Sequence, residues 1–150
     1  GPRRAVTGRT WGGCLEVLPW VMAAGRGPSD LSALEGGVLL IETSEELPSA
    51  GDVRRLLRIL GERGVLGAVD AVLAARPPTC SFEVPREADE RARLRAEQAD
   101  VVVEEVGRYN PDAVVCVGVP FGHTRPQWVL PHGGVMTVDG VEKRVWAGFG

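Results

Sequence analysis

Two unbroken apolar runs of strand length set the limits on how this chain can fold. Gly37-Val38-Leu39-Leu40-Ile41 closes on Glu42, and Ala113-Val114-Val115-Cys116-Val117-Gly118-Val119 closes within four residues on Gly122-His123. Runs this short and this apolar read as strands covered on both faces, the pattern of a parallel sheet flanked by helices. A carboxylate and an imidazole at the carboxyl ends of two such strands fall where open α/β sheets hold their ligands.

The intervening segments fit that frame. Val53, Leu56, Leu57 and Leu60 repeat at i, i+3, i+4 and i+7 with Arg54, Arg55 and Arg58 opposite. Ser49 or Asp52 can cap this helix, and Gly64 suits a left-handed residue at its end. Ala68 to Ala74 reads as a further strand, and Arg76 to Pro85 as a loop broken by Pro77-Pro78. A long helix is expected over about Arg86 to Arg108, where Ala88, Ala92, Ala96, Ala99, Val103 and Val106 share one face. Asn110-Pro111-Asp112 ends it.

Upstream, Leu15, Leu18, Val21 and Met22 suit a helical face interrupted at Pro19, and residues 1–10 look like a basic, disordered or linker lead-in. Downstream come strand-like runs at Trp128 to Leu130, Val135 to Val138 and Arg144 to Trp146, with a hairpin signal at Asp139-Gly140. The expectation is an α/β domain over residues 11–150. Its order begins with a helix, its central sheet is mainly parallel with flanking helices, and a C-terminal β-hairpin lies on an edge.

A length of 150 residues suffices for one buried core. A formal charge of -3 provides no basic excess for nucleic acid. No apolar run approaches the roughly 20 residues of a membrane span, and nothing resembles a signal peptide, so a cytoplasmic protein without membrane or nucleic-acid partners is expected. Cys14, Cys80 and Cys116 are odd in number and widely spaced, which reads as reduced thiols. The chain starts Gly1-Pro2 rather than with Met, which leads us to expect a piece of a longer protein.

Glu42 and His123 are the candidate catalytic residues. In that role Glu42 accepts from one ring nitrogen, fixes the tautomer and stabilises the imidazolium that forms. Nearby Glu45 and Glu46 add like charge, and Glu46 is also a candidate substrate contact. Arg125 can meet a substrate carboxylate, and Trp128 can line a ligand site. The nucleophile is missing. No serine among Ser29, Ser32, Ser44, Ser49 and Ser81 lies in a strand-to-helix elbow, Cys116 sits in an expected strand, and Cys80 has no neighbouring cation. Cys116, His123 and His132 match no standard zinc spacing, and no metal or other cofactor is expected.

Four segments in register resemble the carboxy-terminal domain of the LD-carboxypeptidase family, serine peptidases that include muropeptide LD-carboxypeptidases and microcin C immunity proteins. Trp11-Gly12-Gly13-Cys14-Leu15 is similar to the family's Gly-Gly-Asn-Leu helix start, with Cys14 in place of Asn. Gly37 to Glu42 resembles the strand that ends on the catalytic glutamate. Asp52 to Leu66 resembles the following helix and turn. Val117 to His123, followed by Pro126 and Leu130-Pro131-His132-Gly133, resembles the catalytic histidine loop.

The resemblance implies a swivelling β/β/α-like domain. It implies a Ser-Glu-His triad whose serine belongs to a separate N-terminal domain, a homodimer, and hydrolysis of an amide beside a free carboxylate. The substrate is then a peptide, a muropeptide or a peptidyl nucleotide, and the isolated chain is inactive. Thr43 after Glu42, where the muropeptide branch carries Asp, and Thr124-Arg125-Pro126 lean toward the microcin immunity branch. Two alternatives stay open, a non-catalytic binding or dimerisation module of the same fold and a small metal-binding domain.

Overall fold

The computed structural model describes residues 2–148. Gly1 of the expected lead-in, and Phe149 and Gly150 at the end of the expected domain, lie outside them.

The chain begins with a strand. β1 (Ala5–Cys14) is followed by a short helix α1 (Leu18–Ala23), a 3-10 turn at Leu31–Leu34 and β2 (Val38–Glu42). Then come α2 (Ala50–Glu62), α3 (Val65–Ala68), β3 (Ala71–Ala75), α4 (Ala88–Tyr109) and β4 (Val114–Val119). A hairpin, β5 (Val135–Asp139) and β6 (Arg144–Ala147), ends the described chain. One six-stranded sheet runs β4-β3-β2-β1-β5-β6. The first four strands are mutually parallel, β5 adds antiparallel to β1, and β6 to β5. This is the expected α/β architecture with the hairpin on one edge.

The opening differs from expectation. Residues 5–10, expected as lead-in, belong to β1, a strand inside the sheet, and helix starts only at Leu18, with Pro19 in its first turn where a missing N–H costs nothing. The strand was hidden by its glycines, which have low strand propensity and usually weaken a strand. Here they permit close approach: a Cβ on Gly8 would lie 2.2 Å from Gly36 O, and one on Gly12 1.9 Å from Leu40 O. Trp128 to Leu130 also departs from expectation. It is loop, tied down where Trp128 N donates to Pro120 O at 2.6 Å.

Helix α2 follows its sequence closely. Asp52 N donates to Ser49 Oγ at 3.2 Å and Ser49 N donates to Asp52 Oδ2 at 3.0 Å, a reciprocal capping box. Gly64 takes φ of 81° beyond its end. Val53, Leu57 and Leu60 are buried against the sheet.

Side-chain alternation along β2 separates two apolar layers. Leu39 and Ile41 join Val72, Val53, Leu57 and Val102 on the helix side. Val38 and Leu40 join Leu73, Val114, Phe121 and Met136 on the other face, where the sheet curls enough for Val114 of β4 and Val138 of β5 to share one cluster. A run buried on both faces is what the unbroken apolar pattern of β2 required. By the same alternation Glu42 follows Leu40 onto the curled face, while Thr43 faces the helices.

Candidate active site

Glu42 and His123 come together because β2 and the loop after β4 end side by side. The loop passes over the Glu42 carboxylate at Gly122, whose φ is 69°. A Cβ there would sit 2.5 Å from Glu42 Oε2, so this crossing is open only to glycine. The next residue then places two donors on one oxygen. His123 N lies 3.2 Å and His123 Nδ1 2.6 Å from Glu42 Oε2. A carboxylate can only accept, so Nδ1 carries the proton and the chemistry is left to Nε2.

Several contacts hold the loop in this shape. Thr124 N and Gln127 Nε2 donate to Gly122 O at 2.9 and 2.6 Å. Arg76, just past β3, donates through Nε to Thr124 Oγ1 at 3.0 Å and through Nη2 to Arg125 O at 2.7 Å. The Arg125–Pro126 peptide is cis.

Negative charge gathers around the imidazole. Glu45 Oε2 lies 3.5 Å from His123 Nε2. Glu42 is 10% exposed at its side chain and Glu45 66%, so one carboxylate is fixed and the other is free to move. Glu16 stands behind them, with its Oε1 accepting from Ser44 N at 2.9 Å and Ser44 Oγ at 2.8 Å. The hydrogen bond to Glu42 raises the pKa of His123 above its ordinary value; partial desolvation opposes this, and the charges of Glu42, Glu45 and Glu16 add to it.

Serines and cysteines stay out of reach. Ser44 is committed to Glu16, Ser32 Oγ donates to Asp30 at 2.6 Å, Ser49 caps α2, and Ser81 Oγ accepts from Val84 N at 3.1 Å. Burial, reinforced by its hydrogen bond to Glu16, pushes the Cys14 thiol up to about 11, and burial raises Cys116 as well. Neither is a thiolate at neutral pH. Among the described residues, the polar side-chain partners of His123 are Glu42 and Glu45.

The other candidates divide. Trp128, half-exposed, lines a cavity of about 340 Å³ together with Gly12, Glu42, Gly122 and His132. Arg125 is not brought to that cavity; its backbone carbonyl anchors Arg76 instead. Glu46 also lies away from that cavity. Its N donates to Ser44 Oγ at 3.2 Å, and it lines a separate groove with Glu16, Pro48 and Asp52. Cys116, His123 and His132 do not form a metal site: no cluster of three or more His, Cys, Asp or Glu suited to a metal ion occurs among the described residues. Sequence reasoning registered Glu45 only as unfavourable charge and missed Glu16. A carboxylate three residues after Glu42 was the available signal for the former, and nothing local marked the latter.

The family model for the LD-carboxypeptidase C-terminal domain matches residues 7–138. This chain belongs to that family. Its fold is also that of solved family structures. An MccF-like protein from Streptococcus pneumoniae in complex with AMP is 23% identical with a TM-score of 0.75. The microcin C7 self immunity protein MccF is 24% identical with a TM-score of 0.72. Muramoyltetrapeptide carboxypeptidase from Oxalobacter formigenes is 24% identical with a TM-score of 0.70. Each alignment covers 96% of this chain but 41%, 38% and 44% of those chains, so the chain spans about two-fifths of their length. No curated protein matches. No helix among the described residues is long and apolar enough to cross a membrane.

Proposed function

We propose that this chain is the C-terminal domain of a serine carboxypeptidase-like hydrolase and supplies the acid and base of a Ser-Glu-His triad. The carrying observation is the 2.6 Å contact between His123 Nδ1 and Glu42 Oε2, which leaves Nε2 with only Glu45, at 3.5 Å, beside it. In the complete enzyme a serine from an N-terminal domain meets Nε2, and Glu45, exposed and flexible, gives way to it. The serine oxygen attacks the amide carbonyl while Nε2 takes its proton, and Glu42 stabilises the imidazolium. The imidazolium then protonates the leaving amine, the C–N bond breaks, and an acyl-enzyme remains. Water, deprotonated by His123, releases the acid and restores the serine.

The substrate is an amide beside a free carboxylate, and we place a peptidyl or aminoacyl nucleotide ahead of a muropeptide. Two observations support that order: Thr124-Arg125-Pro126 follows the histidine, and MccF-type neighbours carry AMP, aspartyl sulfamoyl adenosine or glutamyl sulfamoyl guanosine. The same reading makes the parent a cytoplasmic homodimer.

The test is turnover by the full-length protein on a muropeptide and on an aminoacyl sulfamoyl nucleotide, in wild type, His123→Ala and Glu42→Ala. Each variant is expected to lose about 10⁴-fold in kcat. Near-normal turnover in either removes that residue from the mechanism. The 150-residue chain alone is expected to show no turnover and no labelling by a serine-directed probe.

A further inference from the structure

Against the helix side of β2, bordered at one point by Glu42, lies a cavity of about 270 Å³ that the proposed chemistry does not use. Its floor is the carboxyl ends of β2, β3 and β4, and α4 roofs it. Ile41, Val53, Ala74 and Val102 form an apolar lining, and the cavity exists because α4 presents Ala96 and Ala99 there rather than larger side chains.

Five polar side chains interrupt this lining: Glu42 and Arg76, which are engaged with the His123 loop, and Thr43, Arg95 and Gln98. Thr43 is 5% exposed, faces the helix side, and its Oγ1 is buried without a hydrogen-bond partner. Arg95 projects from α4 with its Nε also buried and unpartnered. Gln98, 7% exposed, is oriented by donating from Nε2 to Pro48 O at 2.8 Å. Buried hydroxyls and guanidinium nitrogens normally find partners, and leaving one unmet costs roughly 1–3 kcal/mol. An apolar cavity with a few converging polar groups is the usual form of a small-molecule site.

We propose that this cavity is a second binding site, specific for a small carboxylate with an apolar body. The carboxylate accepts from Arg95 and from the Thr43 hydroxyl, and the body fills the space under Ala96 and Ala99. A dry cavity of about 150 Å³ holds benzene, so this one takes a single ring carrying a chain of roughly three or four atoms. Thr43 is covalently next to Glu42, so occupancy reaches the catalytic pair through the backbone of β2. Glu42 borders the cavity, but the ligand's carboxylate is held by Arg95 and Thr43, so binding to the site is testable whether or not the hydrolase reading holds.

The experiment titrates the 150-residue chain with 4-phenylbutyrate and, separately, with the neutral 4-phenylbutanol, following methyl resonances of Ile41, Val53 and Val102. The acid is expected to give saturable shifts at all three and to bind at least tenfold more tightly than the alcohol. Arg95→Gln should remove that preference while the alcohol binds as before, and Ala99→Leu should abolish both by filling the cavity. Retention of the amide spectrum verifies that each variant is folded. Any of three results with the probes overturns the proposal: no saturable shift at millimolar acid, equal affinity for acid and alcohol, or shifts indifferent to Ala99→Leu. Methyl shifts that change with protein concentration and no probe assign the cavity to a second copy, and overturn it too.

Discussion

Two buried carboxylates in this molecule meet opposite fates. Glu105, on α4, is fully buried and surrounded by cations. Arg54 Nη1 lies 2.6 Å away, Arg58 binds through Nε and Nη2 at 3.2 Å, and Arg108 Nε stands at 3.5 Å. Glu42, on β2, is nearly as buried, yet its side-chain partner is one imidazole that two further carboxylates also approach. The first site compensates its acid and joins α2 to α4; the second leaves a proton shared among groups of nearly one charge. Compensation produces structure, and its deficit leaves a histidine whose pKa is raised above its ordinary value.

The pH dependence of stability differs in sign between the two. Hydrogen bonding from Arg58, then Arg54, holds Glu105 below its ordinary 4.5, with desolvation opposing. Its contribution is present above that value and is lost as pH falls through the lowered pKa. His123 is raised above its ordinary 6.5. Its contribution is complete below 6.5 and is lost as pH rises through the raised pKa.

Substitutions separate the regions further. Glu105→Ala should have the largest effect on stability, about 3 kcal/mol, because three arginines are left facing one another around a buried space. Urea denaturation measures it, and a loss under 1 kcal/mol would show that the cluster contributes little. Next comes Gly122→Ala, which puts a Cβ against Glu42 Oε2 at positive φ and should cost about 1–3 kcal/mol. It should also return the His123 pKa toward 6.5 by NMR titration, and an unchanged titration would mean the loop crosses elsewhere.

Glu42→Gln removes the accepting charge and should lower the His123 pKa with little change in stability. Glu45→Gln should lower it less, since Glu45 is solvated and 3.5 Å distant. A larger shift for Glu45→Gln than for Glu42→Gln would reverse the assignment of which carboxylate governs the ring. Glu105→Gln should leave that titration untouched, and any coupling between the regions would break the contrast drawn between them.

Much of this arrangement was legible in the chain. The apolar runs, the capping box at Ser49 and Asp52, the left-handed Gly64 and the stop at Asn110-Pro111 are local signals, and the elements they mark lie within a few residues of expectation. Glu42 and His123 were legible for the same reason: Glu42 ends β2 and His123 follows β4 within four residues, and both strands are announced by their own apolar residues. β1 was not, since its glycines are chosen for contacts with Gly36 and Leu40, distant in sequence. Arg125 and Glu46 do not line the cavity beside Glu42, because chain proximity to a site says nothing about which way a loop side chain turns.

The sequence by itself determined a mainly parallel α/β sheet with an acid and an imidazole near its strand ends, because hydrophobic period and chain punctuation are written locally. Only the tertiary structure decided that Gly122 lets those side chains meet, that Glu45 faces the free ring nitrogen, and that Ala96 and Ala99 leave a cavity behind β2. These depend on close packing between segments far apart in the chain, where one absent Cβ or one ångström of approach decides the contact.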